Sequence, residues 1–231
     1  MFPLAVVLPI SADSSWKEKP IPQWDREDAK QVLADSPWAK YVTPQPLPDL
    51  SPNACRDGGD WKGCTGKGVG LAGTGLFGAR REAEAIARAH AKPPQAPVVV
   101  RWESALPVRA AEQKAGETGV PSLDSDHYAI AVYDIPTPKR WNLNRELRGI
   151  AFLKRDKKKD LKPSRVEILR QSGGTATVVY LFPSSVEIGK RDGWLEFRAQ
   201  IGRLFVSQYF NTEEMQLQGK LELLMPSDGR H

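Results

Sequence analysis

The sequence predicts an α+β, mainly β fold: an antiparallel sheet or sandwich over about 97–224, behind one or two N-terminal helices and a Gly/Pro-rich linker. Three observations predict it. In the stretch 194–201, Leu195, Phe197, Ala199 and Ile201 alternate with Glu196, Arg198 and Gln200, the period-two pattern of a strand with one wet face. Residues 178–182 (VVYLF) are apolar throughout, as in a strand buried on both faces. Gly173-Gly174 and Gly202 interrupt the apolar runs where hairpin turns would stand, so neighbouring strands are joined by short links.

Residues 1–12 (MFPLAVVLPISA) are apolar and finish in small residues, like the tail of a secretory signal cleaved after Ala12. They lack a basic start and are too short to span a membrane, and no other apolar run approaches the roughly 20 residues of a membrane helix. Residues 13–52 read as a helix-bearing extension. Asp25 is placed to cap a helix, with Asp28 three residues on forming a capping box. Ala29, Val32 and Leu33 share a helical face, and Trp38, Tyr41 and Val42 prolong the apolar patch, so a helix is expected over 25–42, ended or kinked at Pro37. With Trp24, these residues would dock the segment onto the sheet.

A Pro-rich linker follows (43–52), then a Gly-rich stretch and an isolated Ala-rich helix over 78–91, together filling 53–96. The core, 97–225, opens with a strand at 97–104 that carries Trp102 as a core residue. A short helix over 104–116 has Pro107 in its first turn. A second strand at 127–135 places Tyr128, Ile130 and Val132 on one face. A helical turn is expected within 141–150, and the charged run 154–162 reads as a solvated hairpin loop. Strands then follow at 165–171, at 176–182, and at 194–210 with a turn or bend at Gly202. A last alternating run extends from Leu217 to Leu223.

Composition bears on function chiefly by exclusion. The net charge of +5 is modest, and basic residues are interleaved with acidic ones. The densest basic run is diluted by Asp156 and Asp160 and framed by no recognition motif, so nucleic acid is not expected as a partner. Residues 68–73 (GVGLAG) match the spacing of a dinucleotide loop, but no strand precedes them and no alternating βαβ pattern follows; Lys67 precedes Gly68 rather than Ser or Thr. No cofactor is expected. Cys55 and Cys64 lie in the Gly-rich stretch, where a disulfide is easily closed and would suit an exported protein; free thiols remain open. A zinc site would want four ligands, and the nearest His is His90, so no metal ligand is nominated.

Three His are present, and no HExxH, GxSxG or Cys/His arrangement accompanies them. No catalytic residue is nominated. A hydrolase with a non-local site would have to draw His127 together with distant partners. Of the seven Trp, Trp61 among glycines and Trp141 after a Thr-Pro-Lys-Arg stretch are the candidates for ligand or partner contact, since exposed aromatics stack on sugars or anchor partners.

Three segments, 24–40 (WDREDAKQVLADSPWAK), 98–111 (VVVRWESALPVRAA) and 210–223 (FNTEEMQLQGKLEL), together resemble an uncharacterised family of exported bacterial proteins. In that family a Trp-bearing helix with an SPW end precedes a Gly-rich variable stretch, an RWESA-like strand and a sheet-rich remainder. The resemblance implies secretion or a periplasmic location and carries over no catalytic residue. The expectation is therefore a non-catalytic β-rich binding or assembly module of the bacterial envelope, its partner another envelope protein or a glycan. The rival readings are a cell-wall or carbohydrate-binding module using exposed Trp, and the hydrolase.

Overall fold

A computed structural model describes residues 15–46, 96–136, 147–148, 150–171 and 173–225. The signal-like segment, the stretch bearing Cys55, Trp61, Cys64 and the glycine motif, the helix expected over 78–91, and Trp141 all lie outside the described residues.

Two antiparallel sheets face each other. The first has five strands in the order β1 (Ala39–Val42), β3 (Val98–Trp102), β4 (His127–Pro136), β7 (Thr175–Pro183), β6 (Arg165–Arg170). The second has four, in the order β2 (Gln45–Pro46), β9 (Leu204–Asn211), β8 (Trp194–Ile201), β5 (Ala151–Arg155). Consecutive strands form opposite pairs of edges: β1 and β2 at one side, β5 and β6 at the other. The chain therefore changes sheets at both margins, and the structure is a sandwich without a closed barrel.

The alternation in β8 does what its pattern implies. Leu195, Phe197, Ala199 and Ile201 point inward with Val206 and Phe210 of β9, and meet Val100, Trp102, Ile130, Val178, Tyr180 and Phe182 of the facing sheet. Aromatic rings tie the two layers edge to face, Tyr180 to Phe197 at 5.3 Å and Trp102 to Phe210 at 5.2 Å between centroids. The unbroken apolar run of β7 is explained by a second buried cluster on the other face of the five-stranded sheet, formed by Val99, Ala129, Ala131, Tyr133, Val179 and Leu181. The turn at Gly202 joins β8 to β9 by two residues; Gly202 has φ of +60° and stands first in the loop, where a glycine-led hairpin turn matches the twist of the strands.

Helix α1 (Arg26–Ala34) has the expected capping box: the Asp25 carboxylate accepts from the Glu27 and Asp28 amides, and Asp28 accepts from the Asp25 amide. Its apolar face, Ala29, Val32 and Leu33, is buried against α2 (Leu106–Ala115), which has Pro107 in its first turn and ends on left-handed Gly116. The helix stops sooner than the apolar patch suggests. Beyond Pro37 the chain is extended, and residues 39–42 form β1, because β3 offers an unpaired edge that a helix could not satisfy. The last run differs too. Gln218 and Gly219, both at positive φ, fold it into a tight hairpin of β10 (Gln216–Leu217) and β11 (Lys220–Leu221).

Trp16, Trp24, Trp38 and Trp102 are all buried. Trp38 and Trp102 donate their indole N–H groups to the carbonyls of Glu222 (2.8 Å) and Leu223 (3.0 Å). These tryptophans tie the N-terminal segment and the 222–223 stretch to the sandwich and present no concave ligand surface.

Candidate ligand-binding face

The wet side of the four-stranded sheet is where exposed aromatic and polar groups converge. Its register places the side chains in rows across the strands. Trp194 stands opposite Asn211; Lys154, Glu196 and Tyr209 form the next row; then Phe152, Arg198 and Ser207; then Gln200 and Phe205, with Gln45 beside them on β2. Of the aromatic members Trp194 and Tyr209 are exposed, at 57% and 54%, and Lys154 and Gln45 are exposed beside them. Their rings meet edge to face, centroids 6.4 Å apart and planes at 81°, so one ring can lie beneath a bound group while the other walls its flank.

A buried carboxylate organises this face. Glu196 is only 6% exposed although it points to the wet side. It accepts from Arg198 Nε at 2.6 Å and Ser207 Oγ at 3.0 Å, and Tyr209 also hydrogen-bonds to it. Burial raises its pKa, but the bonds from Arg198, Ser207 and Tyr209 together outweigh burial and hold the carboxyl below its ordinary value. Arg198 also lies over the Phe152 ring, 6.0 Å from its centroid. Three polar side chains are thus fixed in place before any ligand arrives, flanked by half-buried Phe152 and Phe205 and exposed Trp194.

A second polar cluster is buried where β3 meets α2. Glu103 is fully buried and Glu112 is 3% exposed. Arg109 Nη1 reaches Glu103 at 3.3 Å and Glu112 at 2.9 Å, and the Tyr133 hydroxyl lies 3.5 Å from Glu112. Arg101 bonds the Glu117 carboxylate through two nitrogens, at 2.7 and 3.1 Å, donates to the Leu33 carbonyl and stacks over Tyr133. Burial, then the Glu103 hydrogen bond and charge, push the Glu112 carboxyl up to about 10, against the pull of Arg109 and Arg101. Glu103 Oε2 has no other hydrogen-bond partner among the described residues, and a protonated Glu112 can donate to it. With both carboxyls buried, this cluster locks a helix to a strand.

His127 Nδ1 lies 2.5 Å from Asp124, which also accepts from Arg165 at 3.0 Å. No Ser or Cys hydrogen-bonds to His127 among the described residues, so acid and base are not joined there by a nucleophile. A surface depression of about 340 Å³, lined in part by Pro20, Ile21, Leu106 and Lys220, takes none of its lining residues from these three groups. Among the described residues no cluster of three or more His, Cys, Asp or Glu could hold a metal ion, and no helix is long and apolar enough to cross a membrane.

No family model, curated protein or solved structure matches the chain. The nominated contacts Trp61 and Trp141 and the pair Cys55 and Cys64 fall outside the described residues. The structure instead brings forward Trp194, Tyr209 and Phe205, which the sequence reading did not nominate. Their signal was present: Phe205 and Tyr209 stand out of phase with Leu204, Val206 and Phe210 in β9, and large aromatics on the wet face of a strand are surplus to the core.

Proposed function

We propose that the protein is a non-catalytic, exported binding module that holds a glycan on the outer face of its four-stranded sheet. The observation that carries this reading is the exposed Trp194–Tyr209 pair beside buried Glu196 and its half-buried partners Arg198 and Ser207. Sugar rings present an apolar face and a rim of hydroxyls. Aromatic rings take the first, and preoriented ionic and hydroxyl side chains take the second. The signal-like start and the resemblance to exported bacterial proteins support the location, and the envelope offers such ligands.

The test is calorimetric titration of the purified chain with soluble cell-wall fragments and neutral polysaccharides, in parallel with Trp194→Ala. Wild type is expected to bind at least one of them, and the variant to lose about tenfold or more in affinity. Trp194 is exposed, so its removal should leave stability within about 0.5 kcal/mol. Absence of binding to every glycan, or binding that survives loss of both Trp194 and Tyr209, would reject the reading.

A further inference from the structure

We infer that the face takes an uncharged glycan chain along its length, not at its terminus. The inference rests on the glycan reading and goes beyond it in naming the form and charge of the ligand.

The shape of the site argues for an internal stretch of chain. The face is the surface of a sheet, with side chains in successive rows, and the surface depression of about 340 Å³ shares none of its residues. Its aromatic groups lie at both extremes. Trp194 and Tyr209 stand at one, Phe205 stands at the other, and Phe152 flanks the middle on β5. Six residue steps along β8 and β9 separate the Trp194 row from the Phe205 row, a span of about 20 Å. That is several sugar rings long. Between the extremes lie Arg198 and Ser207, and Gln200 stands beside Phe205, all able to exchange hydrogen bonds with hydroxyls.

The charge argument is independent of the shape. Glu196 and Arg198 neutralise each other within the face, so neither is left to select an ionic group. Lys154 is the one other charge in these rows, and it stands on the edge strand β5. A ligand carrying regular charges would find no matching row of counter-charges, whereas a polyol finds donors and acceptors throughout.

Ladders of glucose and N-acetylglucosamine oligomers, from the monosaccharide upward, separate the outcomes. Affinity is expected to rise at least tenfold with length and to level off once the oligomer spans about 20 Å. Phe205→Ala should weaken only the long oligomers, while Trp194→Ala weakens all that bind. Phe205→Leu keeps the apolar filling and removes the ring, and should behave as Phe205→Ala does if the ring face is what counts. Equal affinity for short and long oligomers, with both Phe205 variants silent, would overturn lengthwise binding and leave the glycan reading standing. Preference for an acidic polymer, with affinity collapsing in salt, would overturn the uncharged ligand. Failure of every oligomer would remove the glycan reading itself.

Discussion

Glu112→Gln should make the protein more stable at neutral pH, and the gain should grow as pH rises. In the folded state Glu112 holds its proton up to about 10, against an ordinary value of 4.5. Between those values the native chain carries one proton that the unfolded chain has released. Stability therefore falls with rising pH, by about 1.4 kcal/mol for each unit. The stabilisation is complete below the ordinary value and is lost progressively as pH climbs toward the raised one. From about pH 6 to about pH 9 the loss is about 4 kcal/mol, a large share of the roughly 5–15 kcal/mol that holds a domain folded. Glutamine keeps the geometry without the proton: its amide nitrogen can donate to Glu103 Oε2, and its oxygen can accept from Arg109, now 2.9 Å from the carboxylate. Urea unfolding followed by far-ultraviolet circular dichroism, repeated across that pH range, gives both curves. The two proteins should converge near about pH 5 and diverge by about 1.4 kcal/mol per unit above it, with unchanged denaturant slopes. Parallel curves would show that Glu112 does not hold a proton, and the account of the Glu103–Glu112 contact would fail.

Glu196→Gln should behave oppositely. Its carboxyl is held below the ordinary value, so its contribution is present at neutral pH and vanishes as acid protonates it; wild type should be the more stable at neutrality and the two should converge in an acid titration. Trp38→Phe removes the indole donor to the Glu222 carbonyl and should cost about 1–3 kcal/mol in urea unfolding, a loss that Tyr41→Phe on the exposed side of β1 would not reproduce. Gly202→Ala forces a side chain into a left-handed turn position at φ +60°, and its unfolding midpoint should fall by the equivalent of about 1 kcal/mol.

The β8–β9 hairpin and the start of α1 were legible because each rests on local chemistry, whereas β2, inside the expected Pro-rich linker, and β5, which runs into the expected charged loop, are strands only through their pairing with β9 and β8. Strict alternation in β8, a glycine at the turn and the Asp25–Asp28 capping pair all act within a few residues. The extent of α1 was misread because an apolar patch continued past Pro37, and only the vacant edge of β3, some sixty residues away, decides that residues 39–42 are extended. The buried carboxylates were invisible for a similar reason. Glu103 follows a strand and Glu112 sits on a helix, and nothing in their spacing says that both turn inward toward Arg109. The binding face was half legible. Aromatics out of phase in β9 could be seen, but the pairing that sets Tyr209 beside Glu196 and Ser207 beside Arg198 comes from the hairpin register.

The carbonyls of Glu222 and Leu223 receive hydrogen bonds from Trp38, Trp102 and Ser104, partners 119 to 184 residues earlier in the chain. During synthesis, three donors made early must wait, unsatisfied or wet, until residue 223 has left the ribosome tunnel. Two halves of the interior cannot dry before then, so the nascent chain should remain loose and protease-sensitive for most of its translation.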